Sequence, residues 1–182
     1  AAEATDDSPL AIAGVLVARS FTFAPLEPIT GMLADRYSRK SLMLGSNLLS
    51  FCILVSFLAL DLMEGSLLSV YLLAILLVVG RAVYDPAQTA YLPNVCTKDE
   101  LLTANALVSG GWSASMGFGA GIGGLVISQY GIEVGLMIDS VTFLFAALMI
   151  STLPQGGPDQ SERKSGSPIE MFGEIIAGWR YI

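Results

Sequence analysis

Gly31–Lys40, GMLADRYSRK, decides the fold. It joins two long apolar stretches, 9–34 and 41–60, and carries one carboxylate, Asp35, beside three cations, Arg36, Arg39 and Lys40. Two membrane-length apolar runs joined by so short a loop form an antiparallel helical hairpin. Lys and Arg collect on the cytoplasmic side of a membrane, which places the loop there. Gly31 is expected to let two helix backbones approach closely, and Asp35, at a helix end, can cap, pair or accept hydrogen bonds.

Composition agrees with a membrane span reading. Of 182 residues, 53% are hydrophobic and 14% charged, against about 25% charged in soluble domains. What charge there is falls between apolar runs of about 20 residues, enough to cross roughly 30 Å of hydrocarbon. An integral, multi-pass, all-α helix bundle follows. The net charge of −7 says little about partners, because several acids lie in tails and outer loops; membrane lipid is an expected partner and nucleic acid is not. The chain has no His, which excludes imidazole catalysis and His ligation. Cys52 and Cys96 show neither metal-ligand spacing nor a disulfide framework. No metal or cofactor is expected.

Three regions follow along the chain: an acidic extramembrane tail over 1–8, a five-span bundle over 9–153, and a cytoplasmic linker with a short amphipathic helix over 154–182. The spans are placed at 9–34, 41–60, 66–84, 104–130 and 132–153. The second has no charge and is expected to face lipid over much of its surface. Residues 85–103, with Pro86, Pro93, Lys98, Asp99 and Glu100, read as a polar loop, and Gly131 as a tight turn. Cations mark the first loop, the third (Lys98, with Arg81 at its edge) and the tail (Arg163, Lys164, Arg180), while the second and fourth loops have none. This alternation puts the N-terminus outside and the C-terminus inside. Ser167–Glu170 has a capping box with Pro168 at the first helical position. Ile169, Phe172, Ile176 and Trp179 then recur at helical spacing, which fits a surface helix and equally the start of another span. AAEATDDS lacks the regions of a signal peptide, and Ile182 lies inside a helical pattern. The expectation is a piece of a longer protein with one helix before residue 1.

The pattern G-x-L-A-D-R-x-x-R-K resembles the loop signature between the second and third helices of the major facilitator superfamily. Gly31, Leu33, Ala34, Asp35, Arg36, Arg39 and Lys40 all fall in place. The resemblance extends over about 9–182. It implies most of the N-terminal six-helix half of that fold, from the second to the sixth helix, with the remainder of the transporter as a partner. It also implies secondary transport by alternating access, with Gly31, Asp35, Arg36, Arg39 and Lys40 forming a latch that holds the cytoplasmic side closed. Arg81–Leu107, with Pro86–Ala90, Leu92–Pro93 and Ala104–Leu107, resembles a branch containing macrolide-efflux proteins, enterobactin exporters and lysophospholipid transporters. Arg81 resembles the fourth-helix arginine linked to proton coupling, although Asp85 stands where that motif has glycine. Arg81 and Asp85 are also at i,i+4, where a plain ion pair on one helix face is the simpler reading.

GFGAGIGG, Gly117–Gly124, resembles the fifth-helix antiporter motif, with Ala120 where the motif has Pro, so less bend is expected there. Gly117 and Gly121 continue a row of small residues from Ser109 and Ser113 at spacing four, Gly119 and Gly123 a neighbouring row from Gly111 and Ser115, and Gly124 closes the motif. Such ridges let membrane helices pack closely, and the expectation is that they meet another helix with no room to spare. Ordinary packing and the antiporter role both fit them.

Charges within spans cost about 2.5–3.5 kcal/mol on insertion scales and normally face the bundle interior or water. Arg19, Glu27, Arg81 and Asp139 are therefore candidates for a substrate or proton pathway. A static pair, Arg19 with Glu27 or Asp139, accounts for three of them equally well. An exporter of a small amphipathic compound, with protons as coupling ion, is the leading reading. A lysophospholipid or metabolite facilitator without proton coupling is the alternative, and a non-transporting scaffold a third. An enzyme is not expected: Asp35 and Asp139 lack an accompanying nucleophile or metal set. A plasma (inner) membrane is expected, with an organelle membrane as the other option.

The topology is directly testable by single-cysteine accessibility labelling in a Cys-free background. Ser38→Cys and Ser66→Cys should react from opposite sides of the membrane; labelling from one side would overturn the orientation.

Overall fold

Only Tyr37 and Ser38 separate the first two helices. In the computed structural model, which describes residues 9–61 and 67–155, α1 spans Pro9–Arg36 and α2 spans Arg39–Ala59. Ser38 makes this reversal local: its hydroxyl accepts a hydrogen bond from the Ser41 amide at 3.4 Å as the N-cap of α2, meeting one of the donors that a helix start leaves unpaired. Asp61 closes α2 with φ of 51°, a left-handed conformation that a short polar side chain tolerates better than most. Then α3 runs Leu67–Val95 and α4 runs Leu101–Thr152. Among the described residues every regular element is helical. Three helices, Arg39–Ala59, Leu68–Val95 and Leu101–Thr152, are long and apolar enough to cross a membrane.

Gly131 breaks α4 in two, as its sequence suggests. Its φ of 84° and ψ of 168° belong to a region essentially closed to residues with a Cβ. The result is two arms, 101–130 and 132–152, each as long as the ~20 residues a crossing needs. Across the turn Gly135 keeps the arms close, since a Cβ there would lie 3.1 Å from Ile127.

α2 holds the bundle together, with α3 on one side and the second arm of α4 on the other, while α1 lies against α3. Met43, Ser46, Asn47, Ser50, Leu54 and Phe57 are its buried residues. They recur at helical spacing and so form one stripe. The uncharged second span, expected to face lipid over much of its surface, has one face in the core, while Leu48, Leu49 and Val55 on the other are exposed. Two apolar clusters result. Ala34, Met43, Ala87, Tyr91 and Ile150 gather residues of all four helices. Leu54, Phe57 and Leu73 receive Leu136 and Phe143 from the second arm.

Two polar members of the stripe are satisfied within α2. Ser46 Oγ and Asn47 Nδ2 both donate to the Met43 carbonyl, at 2.9 and 2.8 Å. Their small size matters at the crossing with α3, where a Cβ on Gly80 would stand 2.6 Å from Ser50 Oγ and 3.4 Å from the Ser46 carbonyl. At the α1–α3 contact, Gly14 plays the same part beneath the Tyr71 hydroxyl.

The third span is longer than expected. Residues 85–95 continue α3 instead of forming a loop, and the connection to α4 shrinks to 96–100. Pro86 removes one N–H, a cost of about 3 kcal/mol in a helix interior. Burial of Ala87 and Tyr91 and the hydrogen bond from Thr89 Oγ1 to the Asp85 carbonyl, 2.9 Å, oppose that cost. In the short connection Glu100 accepts from the Thr97 amide and hydroxyl at 2.9 and 2.8 Å. These donors hold its carboxyl below the usual carboxylate range.

The 1–8 tail and the amphipathic helix expected within 156–182 lie outside the described residues.

Gly80→Ala should lower the melting temperature in detergent, with overpacking costing about 1–3 kcal/mol. Adding Ser50→Ala, which removes the obstructing Oγ, should recover most of the loss, while Gly45→Ala, where nothing lies within 4 Å, should leave stability nearly unchanged. Equal losses at Gly80 and Gly45 would refute the close crossing.

Candidate functional site

The first group to consider surrounds the turn between α1 and α2. Arg39 Nη1 donates to the Ala90 carbonyl of α3 at 2.7 Å. Lys40 Nζ donates to the carbonyls of Ser151 and Leu153 at 2.7 and 2.6 Å. Those two acceptors lie where α4 ends, and a helix end offers unpaired carbonyls and the negative pole of its dipole. Lys40 therefore caps α4 from another helix. Beside it the Tyr91 hydroxyl donates to the Pro154 carbonyl at 2.9 Å. Arg39 Nε is buried without a hydrogen-bond partner among the described residues.

The other residues of the signature behave differently. Asp35 is exposed and makes no hydrogen bond or ion pair among the described residues. Arg36 lies at the last turn of α1. Gly31 has nothing within 4 Å of a Cβ position, so the close backbone approach expected of it is not made among the described residues. The contacts made by Arg39 and Lys40 could not have been found by motif reading, because their acceptors are backbone carbonyls, which any residue supplies.

The second group lines a cavity of about 710 Å³ between α2, α3 and both arms of α4. Ser46, Asn47 and Ser50 face it from α2, and Arg81, Asp85 and Gln88 from α3. Leu107, Val108 and Trp112 of the first arm and Leu136 and Phe143 of the second close it with apolar surface. Arg81 Nε and Asp85 Oδ2 form the i,i+4 pair expected from the sequence, at 3.1 Å. The Arg81 guanidinium also lies 4.0 Å from the centre of the Trp112 ring, a cation–π stack that ties α3 to the first arm. Trp112 carries no motif, so the stack was invisible in the sequence; the only signal was an aromatic residue within the small-residue run.

The remaining candidates are not gathered here. The side chains of Arg19 and Glu27 lie outside those described, although the α1 backbone passes through both positions. Asp139 sits on the second arm, exposed, and does not line the cavity. Its partner is Thr142, whose Oγ1 donates to the Asp139 carbonyl at 2.7 Å and approaches Oδ1 at 3.4 Å; it forms no ion pair among the described residues. The glycine ridge is likewise open. Among the described residues nothing lies within 4 Å of a Cβ at Gly117, Gly119, Gly121, Gly123 or Gly124, so they do not supply the helix neighbour expected there. The first arm leans on the rest of the described chain mainly through the cavity wall near Trp112, leaving Phe118, Leu125 and Tyr130 exposed.

A helical bundle with membrane-length elements and a cation-rich turn is the architecture of a multi-pass membrane protein. The family model for the Major Facilitator Superfamily matches residues 1–182, and the chain belongs to that family. It is an integral, multi-pass membrane protein with a partial helix bundle of that fold. It is similar to a protein named as the bacilysin exporter BacE of Bacillus subtilis (strain 168), 29% identical over 82% of this chain and 37% of that protein. The Lysophospholipid transporter LplT of Enterobacter sp. (strain 638) is 31% identical over 56% of this chain and 26% of its own. The MFS-type transporter YfiS of Bacillus subtilis (strain 168), itself uncharacterized, is 24% identical over 93% of this chain and 39% of its own. The chain thus spans less than two fifths of each of these relatives. No solved structure matches it.

Lys40→Met should strip the α4 terminus of its cap. A hydrogen bond to a charged group contributes about 1.5–3 kcal/mol, and exposure here brings the expected loss to about 1 kcal/mol. Amide exchange at 150–153 should quicken in Lys40→Met and stay near normal in Lys40→Arg. Unchanged exchange in Lys40→Met would show that the cap is not needed.

Proposed function

We propose that this chain works within a secondary transporter of the plasma membrane that exports a small amphipathic compound by alternating access, drawing on the proton gradient. The cavity carries this reading. Its apolar walls and single charged pair, inside a membrane bundle, offer an amphipathic molecule both kinds of contact, and its volume lies within the range of small-molecule sites, about 300–1,000 Å³. Protons are assigned as the coupling ion because acids are available in the spans: Glu27 and Asp139 are the candidates to carry them, with Arg19 and Arg81 as further candidates on the pathway. No chemical transformation is assigned to the protein.

Gly31, Asp35, Arg36, Arg39 and Lys40 are assigned to a cytoplasmic latch. Arg39 and Lys40 hold the ends of α3 and α4, while Asp35, exposed at the end of α1, is the group left for a partner beyond this chain. The glycine face of the first arm is assigned to helix packing against the rest of the transporter. The second reading, a lysophospholipid facilitator without proton coupling, is favoured by the similarity to LplT.

Flux by the full-length protein in proteoliposomes with an imposed pH gradient tests both readings, using a panel of small amphipathic compounds and lysophosphatidylethanolamine. Export is expected to follow the gradient and to collapse with a protonophore. Flux indifferent to the gradient would favour the facilitator, and no flux of any compound would overturn both. Asp35→Asn should reduce flux at least tenfold with insertion unchanged; normal flux from a normally inserted variant would leave Asp35 as a marker of topology alone.

A further inference from the structure

We propose that the cavity recognises a zwitterionic head, an ammonium and an anionic group a few bonds apart, on a substrate whose apolar body lies along the two arms of α4. This rests on the transport reading above and adds the chemistry of the substrate to it. The assignment comes from what the Arg81–Asp85 pair leaves unused. The pair is made through Nε and Oδ2 alone. Among the described residues neither Arg81 Nη group nor Asp85 Oδ1 takes part in any hydrogen bond, and both side chains line the cavity. They retain 36% and 38% exposure, so one donor edge and one acceptor oxygen stand side by side, open to a guest.

Trp112 narrows the choice. It covers a face of the guanidinium at 4.0 Å, so a second planar or apolar group gains little there, and the edge is the remaining approach. The edge is where carboxylates and phosphates bind, through paired N–H groups. Beside it, Oδ1 suits an ammonium. The Asn47 amide nitrogen is already engaged by the Met43 carbonyl at 2.8 Å, which leaves its oxygen as a second acceptor.

Charge balance points the same way. The pair is neutral as a unit, so a guest carrying one charge would leave the site with a net charge among apolar walls, where uncompensated charge is expensive. A zwitterion laid head to tail across the pair adds equal and opposite charges and keeps the site neutral. The volume, about 710 Å³, exceeds what a head group alone fills, and Leu107, Val108, Leu136 and Phe143 supply the surface for an apolar body.

Equilibrium binding to the full-length protein in nanodiscs, without any gradient, tests this. The probes are phenylalanine and lysophosphatidylethanolamine, each with its N-acetylated form, together with phenylalanine amide. At least one zwitterion should bind tenfold or more tightly than its blocked forms. Which one does so tells a soluble amphiphile from a lipid head group. Arg81→Gln should remove the preference for phenylalanine over its amide, and Asp85→Asn the preference over the N-acetylated form, a reciprocal switch that general loosening of the fold does not produce. If wild-type protein binds blocked and zwitterionic forms alike, or binds none, the proposal is overturned, even where a variant fails to fold. Zwitterion selectivity without flux would sustain the proposal and count against transport. Flux inhibited equally by blocked and unblocked forms would do the reverse.

Discussion

A lysine and an arginine in the first turn of α2 reach across to two other helices and hydrogen-bond α2 to both. A helix in hydrocarbon satisfies its backbone internally, except at its ends. Lys40 answers that need for α4 by donating to Ser151 and Leu153, and Arg39 ties α3 through Ala90. Because Tyr37 and Ser38 alone separate α1 from α2, these cations also fix where α1 ends. Positive charge in such a turn is usually read as a sign of orientation. Here it is also structural, since the same side chains gather three helix ends at one level.

The cavity is the counterpart of that tight end. The second arm of α4 is drawn against α2 by Lys40 and by Leu136 and Phe143, whereas the first arm, which precedes the reversal at Gly131, stands apart from it. The space between is bridged where Arg81 meets Trp112. An ion pair within a span is tolerable when it faces a cavity, and this one lines one. The geometry that leaves the first arm exposed is therefore the geometry that makes room for a guest.

Much of this was legible before any coordinates. The hairpin at Gly31–Lys40, the reversal at Gly131 and the Arg81–Asp85 pair all follow from local rules: charge between apolar runs, a glycine between spans, opposite charges four residues apart. The family was legible too, from the density of one short signature. What was not legible depended on tertiary partners. Pro86 and Pro93 with flanking charges read as a loop, yet Ala87 and Tyr91 find a buried site and the helix continues. The small residues Ser46 and Ser50 gave no sign that the uncharged second span is the centre of the bundle. The glycine run looked like a packing ridge, and its composition alone could not say whether this chain supplies the neighbour. Arg39 and Lys40 were recognised as important, but their acceptors are carbonyls that no motif encodes.

The two bonds at the end of α4 have a mechanical consequence. Leu153 is held by Lys40 of α2, and Pro154, the next residue, by Tyr91 of α3. The end of the second arm is therefore moored to two helices other than its own. Tension on the chain beyond Pro154 would not simply pull on the second arm; it would be divided between α2 and α3, the helices that carry Asn47 and Arg81 into the cavity. Displacements at Leu153 and Pro154 and the shape of the binding space are thus joined by a path of two hydrogen bonds and two rigid rods.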